Sequence, residues 1–165
     1  MLFRSRLHRR EPLQPLGEDD LRGVLGDVLG VRKGELAMVH SSVDRLQLGF
    51  PFTRLLPLLR STVGAEGTLL FPATHLHERP ERWLDRGEVF DVRRAPTSMG
   101  LLPELARRQR DAARSMHPTH SVVAVGPLAN SLVEMHHCDI YPCGEQSPYY
   151  QVAARGVGNP GLGAT

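Results

Sequence analysis

Three short runs, Leu36-Ala37-Met38-Val39, Thr68-Leu69-Leu70-Phe71 and Val122-Val123-Ala124-Val125, constrain this fold more tightly than anything else in the chain. Each has the length of a strand and is apolar without alternation, the pattern of a strand covered on both faces. Between the first two, Leu55, Leu56, Leu58, Leu59 and Val63 recur at helical spacing, with Pro57 in a first turn where no backbone donor is lost. Strand, helix and second buried strand make a βαβ unit, the building block of a parallel sheet. The expected class is therefore α/β, with a mostly parallel sheet covered by helices.

The remaining elements follow from caps and periodicity. Glu18-Asp19-Asp20 opens a helix whose apolar positions are Leu21, Val24, Leu25, Val28 and Leu29, and Gly30 stops it. Ser98 is the expected cap of a third helix through Leu101, Leu102, Leu105 and Ala106. A short helix is expected over 128–135, and Ser147 reads as the cap of another. Between Pro72 and Pro96 the chain is polar and without period, which marks a functional loop or lid. Residues 1–16 read as an irregular basic leader, 17–155 as a single domain and 156–165 as an irregular tail.

Composition narrows the class of function. A chain of 165 residues is long enough for one domain with a real core. Its net charge of +2 balances 20 basic against 18 acidic residues, too even for a nucleic-acid binder. The basic cluster Arg4, Arg6, Arg9 and Arg10 reads as a solvated N-terminus. No run is long enough to span a membrane, and the start has no signal-peptide core. Cys138 and Cys143 lack zinc-ligand spacing and are expected as reduced thiols, which makes the cytoplasm the expected compartment.

Polar residues gather where strands end. His40-Ser41-Ser42 follows the first run, and its hydroxyls and backbone donors can either hold a carbonyl or phosphate oxygen or simply cap a turn. His117-Pro118-Thr119-His120-Ser121 runs straight into the third strand. Pro118 gives His117 an extended backbone, so His117 either points at a fixed target or is a hydrogen-bonded histidine at a strand entry. His75 and His77 alternate along an extended segment and, with His117 and His120, could form a zinc set and hence a metal hydrolase. Glu78, Asp85 or Asp91 could instead act as general base beside a substrate amine. His136-His137 reads as loop surface.

Taken in order, several stretches resemble the aminoglycoside 3-N-acetyltransferase family. They are Leu29-Gly30-Val31-Arg32-Lys33-Gly34 leading to Met38-Val39-His40-Ser41-Ser42, and Gly67-Thr68-Leu69-Leu70-Phe71-Pro72. Phe90-Asp91-Val92-Arg93-Arg94-Ala95-Pro96 with Met99-Gly100 follows, then Arg114-Ser115-Met116-His117-Pro118-Thr119-His120-Ser121, and Gly144-Glu145-Gln146-Ser147-Pro148. The resemblance covers 21–151.

That resemblance implies a three-layer α/β/α sandwich and acetyl-CoA as co-substrate, with no metal. It implies an amine acceptor on an aminoglycoside or related amino sugar, and so antibiotic resistance. It assigns His40, Ser41, Ser42 and Ser121 to the CoA side of the cleft, and His117, His120 and Glu78 to catalysis. Family members continue, after the Gly-Glu-x-Ser-Pro turn, into a strand and a helix with a His-x-x-Glu motif that carries the usual catalytic base. Nothing after Ser147 matches it here. The expectation is a C-terminally truncated relative with an incomplete sheet. Such a chain is either active with His117 or His120 as base, or inactive and at most a CoA binder. Its exposed sheet edge makes a homodimer the expected assembly.

Overall fold

The computed structural model of the protein describes residues 14–155 and 161–162. The leader's Arg4, Arg6, Arg9 and Arg10 therefore lie outside the described residues. Helix α1 (Glu18–Gly23) leads through a π-helical stretch, Val24–Val28, towards strand β1 (Leu36–Met38) and the short β2 (His40–Ser41). Helix α2 (Leu55–Val63) then crosses to β3 (Thr68–Pro72), and α3 (Pro80–Asp85) and α4 (Leu101–Arg107) precede β4 (Ala112–Arg114). Strand β5 (Val122–Val125), α5 (Ala129–Val133), α6 (Pro148–Ala154) and β6 (Gly161–Leu162) complete the order.

The main sheet has the order β1-β3-β5-β4. The predicted βαβ unit is present: β1 and β3 pair in parallel, with α2 as the crossover. Strand β5 is antiparallel to both β3 and β4, so three of the four strands share a direction and β5 alone opposes them. The sheet is mostly parallel in strand direction yet mixed in pairing. The cause is the connection: only 115–121 join β4 to β5, too few residues for a crossover, so the two strands fold back as a hairpin.

Period-two alternation divides the strand side chains between two cores. Leu69, Phe71, Val123 and Val125 face one side, packed with Leu21, Leu25, Leu55, Leu58, Leu59 and Leu102. Leu70, Val122 and Ala124 face the other, under Ala129, Leu132, Val133 and Val152 of α5 and α6. This is the expected three-layer sandwich. Each fully buried Leu contributes roughly 1.5–3 kcal/mol of hydrophobic stabilisation, which is why unalternating strands read so clearly.

Several local expectations are corrected. Only Leu21 and Leu25 of the first helical stripe are buried, while Val28 is 74% exposed. The helix widens into a π turn, with Leu29 N donating to Val24 O at 2.9 Å, and this changes the periodicity. Ser98 does not cap α4, because its hydroxyl donates to Thr74 O at 3.1 Å and Gly100 precedes the helix. The tail is not wholly irregular: β6 pairs in parallel with β2, and Leu162 is buried in the first core. Backbone groups beyond β1 need partners, and Ser42 N finds one in Leu162 O at 2.8 Å.

Candidate functional site

Strand directions place the C-terminal ends of β1, β3 and β4 beside the N-terminal end of β5. Residues 39–42, 73–75, 115–116 and 121 all emerge at this one end. Ligands of open α/β sheets bind in this position, outside the carboxyl ends of the strands.

On the β1 side, His40, Ser41 and Ser42 are half-buried. The Ser41 Oγ is buried and has no hydrogen-bond partner among the described residues. Ser41 and Ser42 line a cavity of about 610 Å³, closed on the far side by Ser98, Met99, Gly100 and Leu101. A smaller space of about 120 Å³ adjoins it between His40, Ser41, Pro72, Met99 and Pro103. A buried hydroxyl without a partner costs free energy unless something accepts its proton. Its chemistry fits a thioester carbonyl or phosphate oxygen.

On the β5 side the polar groups are already used. His117 is 4% exposed, and its ring stacks on His136 with centroids 4.6 Å apart. Its Nδ1 accepts from the His120 backbone N–H at 3.2 Å. Burial first, then His136 and His120, push its pKa down to about 4, so the imidazole is neutral at pH 7. His120 is exposed, with Nδ1 2.9 Å from the Thr119 hydroxyl. His136 is not loop surface as expected but fully buried. The Ser115 hydroxyl accepts from Val122 N at 2.8 Å and donates to His136 Nδ1 at 2.9 Å. The His136 Nε2–H is then left to donate to Pro142 O at 3.0 Å.

Ser121, expected on the CoA side, already has its hydrogen-bonding capacity in use. It is fully buried, its hydroxyl donates to Ala73 O at 2.7 Å, and it accepts from Arg114 Nε at 3.1 Å. It holds the fold at this strand end and does not face the cavity. Sequence reasoning missed Arg114, Ser115 and His136. The signal for the first two was an arginine ending β4 and a serine opening the short β4–β5 connection, just before the His-Pro pair.

The 72–96 excursion contains α3 and one buried ring, Trp83. His75 stacks on Phe90 at 4.6 Å and meets Trp83 edge-on at 5.0 Å. Burial and the nearby Arg114 charge lower its pKa, and its Nδ1 is buried without a partner. His77 is exposed. Glu78 is paired with Arg86 at 2.5 Å, and that hydrogen bond holds its carboxyl below the usual range. The expected zinc set of His75, His77, His117 and His120 does not form. Among the described residues, no three His, Cys, Asp or Glu side chains are gathered to hold a metal ion. His75 packs in a ring cluster with Trp83, whereas His117 packs against His136 and His120. Cys138 and Cys143 are free, exposed thiols, and no described helix is long and apolar enough to cross a membrane.

This fold is shared with solved acetyltransferases. AAC-IIIb in a binary complex with CoASH superposes with a TM-score of 0.67 at 30% identity, covering 86% of this chain and 57% of that one. AAC-VIa bound to sisomicin gives a TM-score of 0.67 at 28% identity, with the same shares of 86% and 57%. The family model described as aminoglycoside 3-N-acetyltransferase matches residues 38–163. The aminoglycoside N(3)-acetyltransferase VIII of Streptomyces fradiae is 34% identical over 145 residues, 79% of this chain and 50% of that protein. The chain therefore belongs to the aminoglycoside 3-N-acetyltransferase family, and it spans about half the length of the curated relative it matches.

Proposed function

We propose that this chain carries the donor side of an acetyl-CoA-dependent N-acetyltransferase, acting on an amine of an aminoglycoside or related amino sugar. The observation that carries this reading is the 610 Å³ cavity at the carboxyl end of the sheet, lined by Ser41 and Ser42, with the unpartnered Ser41 hydroxyl buried behind its wall. Family membership and the CoASH and sisomicin complexes of similar proteins support it.

In the transfer, the acceptor nitrogen loses a proton and attacks the thioester carbon, the C–S bond breaks, and the thiolate is protonated. A side-chain rotation that brings the buried Ser41 hydroxyl into the cavity lets it donate to an oxygen of the donor, a contact that gains strength as charge develops there. His120 has the exposed imidazole of the His-Pro segment and is the base candidate on this chain. Neutral His117 acts indirectly, by holding the His120 backbone. Glu78 is held ionised by Arg86 and could accept a proton only after leaving that pair. The exposed free thiols suit a reducing compartment, in keeping with a cytoplasmic enzyme.

The test is acetyl-CoA titration by calorimetry, followed by a thiol-release assay with kanamycin or gentamicin. Saturable binding with thiol release is the expected result. Binding without release restricts the chain to donor recognition. Folded protein that binds no acetyl-CoA overturns the reading.

A further inference from the structure

Arg114, at the end of β4, is a half-buried cation with an unusual set of partners. Its Nε donates to Ser121 Oγ at 3.1 Å, one Nη to Ala95 O at 2.5 Å and the other to Ala73 O. Its guanidinium carbon lies 4.9 Å above the Phe90 ring. Phe90 stacks on His75, and His75 meets Trp83 edge-on, so the guanidinium caps a ladder of three rings. No carboxylate of the described residues hydrogen-bonds or ion-pairs with it. Its two Nη groups donate to main-chain oxygens, one from each limb of the excursion that leaves β3 and returns to α4.

The return limb matters because it builds the cavity. Three residues beyond Ala95, Ser98 N donates to Thr74 O at 2.7 Å, and Ser98 and Met99 then form the wall opposite Ser41 and Ser42. Arg114 does not line that cavity. Its planar fork fixes where the wall stands by tying Ala95 to Ala73 and to the β5 end.

We propose that Arg114 is a positioning residue, clamping residues 95–99 as the wall that faces Ser41 and Ser42 across the donor cavity. A lysine cannot replace it: one ammonium keeps the charge but cannot reach three divergent acceptors and stack on Phe90. The binding consequence rests on the proposed donor site, whereas the clamp itself can be read without any ligand.

Trp83 is the only tryptophan of the chain and touches the ladder directly, so it reports the clamp. The experiment compares the full chain with R114K and F90L by Trp83 emission, amide hydrogen exchange and acetyl-CoA calorimetry. In R114K, Trp83 emission shifts to the red and amides of 90–99 exchange about tenfold faster or more, while β1, β3 and β5 keep their protection. Acetyl-CoA binding weakens by about tenfold, the order expected when a wall of a site moves. R114K with wild-type emission, exchange and affinity overturns the clamp. If R114K fails to fold, F90L decides, since it removes the ring on which the guanidinium rests and so loosens the fork that ties Ala95 to Ala73. Red-shifted emission with faster exchange in F90L supports the clamp, and unchanged values overturn it. A wild-type chain that binds no acetyl-CoA removes the donor reading alone, and emission and exchange still judge Arg114.

Discussion

Residues 40–42 and 117–121 look alike as sequence, each a histidine-and-serine cluster at the end of an apolar strand, and they have opposite fates in the fold. The second is closed except for the exposed ring of His120. His117, His136, Ser115 and Ser121 bond to one another or to backbone, and all four are buried. The first is open, with a buried Ser41 hydroxyl that nothing satisfies and a cavity beside it. A polar group whose capacity is used up inside the protein holds the frame, and one left unsatisfied at a cavity is available to a ligand. The comparison divides the family-like motifs into a scaffold half and a contact half.

The largest expected effects fall on the closed half. His136→Ala removes a buried ring, opens a void beside His117 and takes the acceptor from the Ser115 O–H and the donor from Pro142 O. It should lower unfolding free energy by about 3 kcal/mol, combining a cavity with lost hydrogen bonds. Urea denaturation checks this, and a loss under 1 kcal/mol breaks the scaffold assignment.

Acid should weaken the same cluster. His117 keeps its folded pKa near 4, below the ordinary 6.5. Above pH 6.5 both folded and unfolded forms are neutral there, and the stability is fully present. Between 6.5 and 4 the unfolded chain takes up a proton that the folded chain refuses, so stability falls as pH falls. The slope is about 1.4 kcal/mol per pH unit from this group, and His136, also lowered by burial, adds to it. Denaturation midpoints across pH 4–7 measure the slope. His117→Phe, which keeps a ring against His136, should reduce it by about one proton.

How much of this was readable in advance differs between the levels. The sandwich was legible because β1, β3 and β5 are continuously apolar, and the spacing of Leu55 to Val63 has one helical solution. The Ser147 cap was legible for the same local reason, with its hydroxyl accepting from Tyr150 N at 3.0 Å. What could not be read depends on distant partners. Whether Ser41 or Ser121 keeps a free hydroxyl is decided by Ala73 and Arg114, far away in sequence. His136 looked like surface because its burial comes from Ser115 and from the 139–142 turn. Strand β6 was hidden because Gly161-Leu162 acquires meaning only beside residues 40–42.

Paired serine substitutions sharpen the comparison directly. Ser121→Ala should cost about 1–2 kcal/mol of stability, because Arg114 and Ala73 O each lose a buried partner. Ser41→Ala should cost no stability, since its hydroxyl is unsatisfied in the free protein. It should weaken acetyl-CoA binding about tenfold, or about 1.4 kcal/mol. Thermal melts with and without acetyl-CoA separate the two. A Ser41→Ala chain that binds as tightly as wild type would remove Ser41 from the contact half.

The smallest structural effect should come from Glu78→Gln. Glu78 is exposed and, among the described residues, bonded only to Arg86, which also holds Glu88 at 2.5 Å, so Arg86 keeps a carboxylate partner after the substitution. Surface pairs of this kind contribute little to stability, and the melting temperature should not move measurably. Activity is the informative readout. If Glu78 leaves Arg86 to take a proton from the acceptor amine, Gln, which cannot accept it, lowers kcat and leaves acetyl-CoA affinity unchanged. Thiol release measured at saturating donor isolates that step. Unchanged turnover in a folded Glu78→Gln chain excludes Glu78 as base and returns that role to His120. The 72–96 excursion would then belong with the scaffold, its contribution limited to the wall that Arg114 sets.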